Sequence, residues 1–390
     1  MTRPPEREFL NTSQADWLTL EEELGGDRDG IHNFEIHHTA RYREASVCRP
    51  VLDEEMLRRD PSVAERIRWP EGRRFAAFLS HDVDGTREHC REQLARLIRT
   101  NADAATTVRD KLRALSAVIG LRHRRGRRDL LSPWLEAEKE RGFTSTFFVF
   151  PTAVSARHPR DLMYHWDDLM PFEGGLQPIR AVFAQVAARG WEVGLHGSIE
   201  SAHTTGLLEA QRLDVEQAVG APVTSGRQHN LQFGAAVTPD LLAASGLRVD
   251  CTLGSNRSVF FRTGTSYPHR LWSVGGQAWL NVLEIPLILH DGALLRGDNM
   301  DLSPESALAF CRGVIARVAA VRGVVSLLWH PENLVKPGYY DLYCSLLDVL
   351  REEGAWGTSA RNIADWWESS GNAALVDDAR RRHFAAGRMA

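Results

Sequence analysis

The sequence predicts an α/β domain built on a parallel sheet, and three observations predict it. After Phe75, short β-rich apolar runs alternate with amphipathic stretches six or seven times. The runs are apolar throughout, as strands buried on both faces must be. Ionisable residues stand at the C-terminal ends of four of them, and in a parallel α/β barrel such ends converge on one rim.

Residues 1–70 read as an extension lying on this domain, polar and rich in Arg and Glu. One helix is expected through Leu52–Arg68, ended by Trp69-Pro70. Strands are expected at Phe75–His81, Ser145–Phe150, Glu192–His196, Val223–Gln228, Leu247–Thr252, Val282–Leu289 and Val324–His330. Helices are expected at Ile179–Arg189, Leu207–Val219, Pro239–Ser245 and Pro304–Val321. Gly190, Gly220, Gly246 and Gly323 follow the last turns, where a left-handed cap favours glycine. The first connection is far longer than the ~2–6 residues usual in α/β units. Helical patterns at Arg87–Arg99, Thr107–Ile119 and Ser132–Arg141 fill this insertion, residues 86–141, and an Arg-rich run, Arg122–Arg128, lies within it. That run reads first as a solvated helix end and second as a docking patch for phosphate or a membrane surface. The domain spans 71–370, and 371–390 form a charged tail.

Composition narrows the function. The 390 residues are 43% apolar and 25% charged, which excludes a disordered or collagenous chain. A net charge of −4 argues against nucleic acid as a partner, since phosphate binding needs a broad basic surface. No apolar run reaches the ~18 residues of a membrane span. The first residues lack the hydrophobic segment of a secretory signal. Cys48, Cys90, Cys251, Cys311 and Cys344 are odd in number and widely spaced, as suits reduced thiols. Together these point to the cytoplasm.

The strand ends carry the chemistry. The first ends in His81-Asp82-Val83-Asp84-Gly85, the third in Gly194-Leu195-His196, the fourth in Arg227-Gln228-His229 and the last in Trp329-His330. Asp82 and Asp84 are two apart and so share a side of an extended strand. Two carboxylates that close are not both comfortable as anions without a cation beside them. Asp84, His196 and one more histidine would give three protein ligands with an open position, the catalytic type of zinc site. For His81, His89 and His290 the plainer reading, a satisfied half-buried residue, is preferred.

Asp82-Val83-Asp84-Gly85, Thr146-Phe147-Phe148-Val149, Gly194-Leu195-His196, Arg227-Gln228-His229 and Leu327-Leu328-Trp329-His330 fall in the order of the polysaccharide deacetylase (NodB-homology) motifs. The chain resembles a divergent His-Asp-Val-Asp branch of that superfamily over about residues 75–365. The resemblance implies a distorted (β/α) barrel of about seven parallel strands and a hydrolase that removes an N-acyl group from a sugar or carrier-linked glycan. It implies Asp82 as general base on the attacking water, with Asp84 and His196 as ligands of one divalent ion, most often zinc. Arg227 would hold and tune Asp82, and His330 would protonate the departing amine. The family's His-x-x-x-His is broken, because Glu200 stands four after His196 and the next histidine is His203. His229 is the favoured third ligand, with His203 and Glu200 as alternatives.

Two rival readings remain. Asp82-Val-Asp84-Gly-Thr86 also resembles the start of haloacid-dehalogenase phosphatases, with Asp82 as nucleophile, Asp84 as acid/base and magnesium nearby, and Gly297–Asp301 resembles their late acidic motif. Lysine scarcity opposes this: Lys111 and Lys139 are the only candidates to neutralise an aspartyl phosphate, and neither follows a strand. A barrel that binds carbohydrate without turnover is the other, yet base, arginine and acid are all present. Trp272, Trp279, Tyr267 and Trp329 read first as core and second as a sugar-stacking wall. Asp250 and Arg262 suit a loop anchor or a substrate contact, and His32, His37 and His38 a polar surface feature.

Overall fold

The computed structural model describes residues 48–86, 128–297 and 299–386, apart from 152–153, 155–157, 159–160 and 163. The strands are β1 (Phe75–Val83), β2 (Thr146–Val149), β3 (Leu169–Phe172), β4 (Gly175–Pro178), β5 (Glu192–Gly197), β6 (Ser225–Gln228), β7 (Val249–Asp250), β8 (His269–Ser273), β9 (Ala278–Glu284), β10 (Leu289–His290), β11 (Val324–Leu328) and β12 (Ala355–Thr358). The large sheet runs β10-β11-β1-β2-β5-β6-β7-β9-β8, and β12 pairs the start of β1. All its neighbours are parallel except β8 and β9. From β1 to β7 the spatial order follows the chain, β9 then precedes β8, and β11 returns to the far side of β1. Strand order does not reverse beside Asp82, as it would in a doubly wound sheet. The sheet is a curled half-barrel whose two edges are β8 and β10.

Nine strands pair in parallel, against about seven expected. Val282–Leu289 is not one strand: Pro286, which has no N–H to give a ladder, separates β9 from β10. β12, the β3–β4 hairpin and antiparallel β8 were not anticipated, being too short or too mixed in polarity to stand out.

Helix α1 (Val51–Arg59) and helix α2 (Ser62–Arg66) replace the single helix expected through Leu52–Arg68. Pro61 breaks it by disfavouring helix at Asp60. After the insertion come α3 (Ser132–Glu140), α4 (Ile179–Ala188), α5 (Leu207–Val219), α6 (Thr238–Ala244), α7 (Asp291–Leu295), α8 (Pro304–Val321), α9 (Tyr339–Glu352), α10 (Ala360–Ser369) and α11 (Asn372–Ala386). α11 occupies the stretch expected as a charged tail, with Val376 and Ala379 buried. It meets α1 around the buried Asp53, which accepts hydrogen bonds from Ser266 N and Oγ and lies 3.5 Å from Arg380. Gly190, Gly220 and Gly246 have positive φ, as expected of caps. Gly323 does not: Arg322 takes the left-handed position, and a Cβ on Gly323 would lie 1.9 Å from Ser266 Oγ. The Arg87–Arg99 and Thr107–Ile119 patterns, Arg122–Arg127, and His32, His37 and His38 fall outside the described residues.

β1 is the organising strand, and all nine of its residues are buried. Phe75, Ala77 and Leu79 face the layer made with α3, α8 and α9, while Ala76 and Phe78 face Phe148, Val249 and Leu283 inside the curl. That period of two carries His81 outward and Asp82 inward. His81 donates from Nδ1 to the Trp329 carbonyl (2.7 Å), and its Nε2 lies 2.8 Å from Glu138 Oε1. Glu138 also accepts from Tyr343 (2.7 Å), Ser145 (2.8 Å) and Trp191 (2.7 Å). The network ties the end of β1 to the end of β11, where His330 begins.

Glu138→Leu should therefore strip several buried donors of their acceptor at once. Urea unfolding is expected to show a loss of about 3–5 kcal/mol, since each buried donor left without its acceptor costs about 1–3 kcal/mol. A loss below about 1 kcal/mol would mean that the network does not hold β1 to β11.

Candidate active site

Asp82, at the inward end of β1, is held by an arginine from β6. Arg227 Nη1 donates to Asp82 Oδ1 and to Ser80 Oγ, both at 2.9 Å, and Nε donates to the Cys251 carbonyl at 2.8 Å. Its guanidinium lies over the rings of Phe148 (4.6 Å) and Phe78 (5.6 Å), which meet edge to face. Gly194 makes room for this stack, since a Cβ there would come within 2.7 Å of the Phe148 ring. Burial alone would raise the Asp82 carboxyl, but Arg227, then His196 and His330, hold it below the usual carboxylate range. It is an anion at neutral pH.

Asp84, His196 and His229 converge beside it. His196 Nε2 lies 3.3 Å from Asp84 Oδ1 and 4.0 Å from Asp82 Oδ2. His229 Nδ1 is 3.6 Å from Asp84 Oδ1 and 3.0 Å from His196 Nε2. His196 Nδ1 donates to the Arg227 carbonyl at 3.0 Å, so the ring holds a proton there and its Nε2 faces the cluster. Asp84 Oδ1 is buried without a hydrogen-bond partner. Two imidazole nitrogens and an orphaned carboxylate oxygen, with a second carboxylate close by, suit a divalent ion of zinc's type. Glu200 and His203 lie on the exposed turn after β5, outside this cluster. Immediately after His229, Asn230 (φ 54°) and Leu231 (φ 53°) both adopt left-handed backbone, a cost concentrated beside a functional side chain. Asn256 Nδ2 donates to the Asn230 carbonyl (3.0 Å) and fixes the turn.

His330 follows β11 and faces a partner that the sequence reading missed. Its Nδ1 donates to Asp291 Oδ1 at 2.8 Å, and its backbone N to Asp291 Oδ2 at 3.0 Å. Asn333 Nδ2 donates to the same Oδ2 at 2.6 Å. Burial would lower the imidazole, but Asp291 outweighs it and lifts His330 to about 10. Asp291 itself is held well below the carboxylate range by His330 despite its burial. His330 and Asp84 keep 16% and 19% of their side chains exposed, against 5% for Asp82. The imidazole and the cluster are thus open to a substrate while the Arg-held carboxylate lies deeper. Asp291 stands directly after β10, two residues past the end of the expected strand Val282–Leu289, and the His290-Asp291 pair at that strand end was the signal that could have found it. Glu332 was missed too: burial, reinforced by Asp84 and opposed by His330, raises it to about 8.

Other side chains fall elsewhere. His81 is a satisfied core residue, His89 lies outside the described residues, and His290 is buried beside Asp291 with Nε2 lacking a partner. Tyr267 and Trp329 are core, and Trp279, 45% exposed, packs across the β8–β9 pair on Trp272 (5.0 Å), so these four make no common wall. Asp250 and Arg262 are buried, and burial raises the carboxyls of Asp250 and its neighbour Glu284.

No family model and no curated protein matches the sequence. Among solved structures, a Mycobacterium smegmatis protein provisionally named a polysaccharide deacetylase superposes with a TM-score of 0.50 at 20% identity, over 77% of this chain and 92% of its own. The chain has that fold. Puue allantoinase shares it as well, with a TM-score of 0.51 at 12% identity, over 77% of this chain and 93% of the other. This deacetylase-like fold places the ends of β1, β5, β6 and β11 on one rim, and the residues above stand there.

Because its folded-state pKa is raised from 6.5 to about 10, His330 should stay protonated across neutral pH. Its pairing should support stability fully below about pH 6.5 and lose that contribution as pH rises through about 10. Imidazole NMR should show no titration of His330 between pH 5 and about 8, and Asp291→Asn should bring its midpoint down toward the ordinary histidine value. A wild-type midpoint near that ordinary value would show that Asp291 does not govern it.

Proposed function

We propose that the protein is a metal-dependent hydrolase that removes an N-acyl group, most simply acetyl, from a sugar or a carrier- or nucleotide-linked glycan. The observation that carries this reading is the meeting, on one rim, of an arginine-held carboxylate, a His₂-carboxylate cluster and an aspartate-backed imidazole. A divalent ion held by Asp84, His196 and His229 would polarise the acyl oxygen and make water acidic enough for a carboxylate to deprotonate. Asp82, kept ionised by Arg227, takes that proton. His330, kept protonated by Asp291, gives its proton to the departing amine as the C–N bond breaks. The name given to the Mycobacterium smegmatis neighbour supports a polysaccharide or related glycan as the substrate class.

The phosphatase reading loses ground on Asp82, whose Oδ1 is occupied by Arg227 in a buried pair and is ill placed to be a nucleophile. A barrel that only binds carbohydrate leaves the Asp291–His330 pair without a purpose. We place the protein in the cytoplasm because Cys48, Cys251, Cys311 and Cys344 are free thiols, and no described helix is long and apolar enough to cross a membrane. Residues 71–370 form the catalytic unit in this reading, with the described residues 48–70 and 371–386 packed around it.

Acetate release from N-acetylated sugars, nucleotide sugars and oligosaccharides is the direct test, and a chelator should abolish it until zinc is restored. Silence across the panel together with phosphate release from an aryl phosphate would replace the deacylase by the phosphatase.

The roles can be separated by leaving group. Asp82→Asn should lower kcat by about two to four decades on amide and activated ester alike, because water attack needs a base in both. His330→Ala should be crippled on the amide and much less so on the ester, whose leaving group needs no proton. Equal defects on both substrates for His330→Ala would remove it from the acid role. Asp84→Asn should lose the bound metal, which elemental analysis reads directly; full retention would dismiss Asp84 as a ligand.

A further inference from the structure

The buried ring of His290 has no part in the chemistry so far, yet its position is specific. Its Nδ1 lies 3.4 Å from the Ser255 carbonyl, which can only accept, so the ring's proton sits there and Nε2 carries the lone pair. Nε2 is buried and has no hydrogen-bond partner. It lies 3.5 Å from Asp291 Oδ1, the same oxygen that takes His330 Nδ1 at 2.8 Å. The two rings sit 5.3 Å apart, centre to centre. Gly292 leaves the Nε2 face open, because a Cβ there would stand 3.2 Å from it. The carboxylate that joins them is fixed by His330 N and Asn333 through its other oxygen. His290 Nε2, Asp291 Oδ1 and His330 Nδ1 thus form a second cluster with ligand atoms within 4.8 Å of one another.

We propose that His290, Asp291 and His330 form a second divalent-metal site, filled by excess zinc or a similar borderline ion, that disarms the imidazole at the end of β11. Two imidazoles and one carboxylate select an ion of zinc's type over magnesium or calcium. Coordination uses the Nδ1 lone pair of His330, so the proton held there is released to solvent. The ring that remains is neutral apart from its metal and keeps only its Nε2 proton, a far weaker acid than imidazolium. The consequence for turnover rests on the deacylase reading, whereas the binding does not.

The test is equilibrium dialysis of the chelator-stripped full chain against Zn²⁺, comparing wild type, His290→Gln and Asp84→Asn. His32, His37 and His38 are common to all three, so any metal they take cancels in the difference. His290→Gln should saturate one equivalent below wild type, and Asp84→Asn, which keeps the second cluster whole, should also fall short by one. Equal saturation of His290→Gln and wild type would overturn the proposal. Imidazole NMR of the wild type needs no variant: the His290 and His330 signals should shift only after the first equivalent, and unshifted signals at saturating zinc would overturn it equally. If an N-acetylated sugar is turned over, the second equivalent should cut wild-type kcat at least tenfold and leave His290→Gln with a much smaller fall. Binding without any turnover of the panel would sustain the site and count against the deacylase reading alone.

Discussion

The buried pair of Arg227 and Asp82 is the constraint on which the rest of the rim depends. Desolvating two charges is expensive, and an isolated pair seldom recovers that cost. Here the guanidinium also serves Ser80 and the Cys251 carbonyl and lies over two phenyl rings, so β1, β6 and β7 are fixed to one another through a single side chain. Replacing the pair by apolar residues would be the cheaper core. Its retention makes sense if a carboxylate must remain ionised in a place that burial would otherwise neutralise.

From that anchor the alternation of β1 does two jobs. Asp82 points into the curl toward Arg227, and His81, one residue earlier, points out into the Glu138 network beneath α3 and α9. His81 in turn holds the Trp329 carbonyl, one residue before His330. Asp82 and His330 are therefore registered against each other through the backbone of two neighbouring strands, β1 and β11, and not through a flexible loop. A one-residue slip would exchange the faces and bury histidine where the carboxylate belongs.

Much of this was legible in the sequence because strand ends in a parallel sheet are a small set of positions and polar residues interrupt apolar runs there. The parallel α/β class and the convergence of Asp82, Asp84, His196, Arg227 and His330 on one rim follow from that. Which residue stands third beside Asp84 does not, since His229, His203 and Glu200 differ in the path of short turns, which a sequence does not encode by periodicity. His229 lies there because two left-handed residues, Asn230 and Leu231, turn the chain away directly after it. Asp291 was illegible for a related reason. Asp291 directly follows β10, at the end of the expected strand Val282–Leu289, but nothing in the apolar run tells that its carboxylate turns toward His330 across the β10–β11 pair.

Two sets of imidazole and carboxylate groups on one rim, chemically alike, are thereby given opposite tasks. Around Asp84, the Arg227 carbonyl accepts the Nδ1 proton of His196 and leaves nitrogen and oxygen donors turned toward one point, an arrangement that asks for a cation. Around Asp291, the carboxylate is saturated by His330, by the backbone and by Asn333, and the charge it needs is met by a proton on the ring. The difference lies in which atoms are already satisfied, not in residue type. Hydrogen-bond saturation is what decides whether such a cluster stores a metal or a proton, and His290 Nε2, the one unsatisfied nitrogen of the second set, marks where that decision could be reversed.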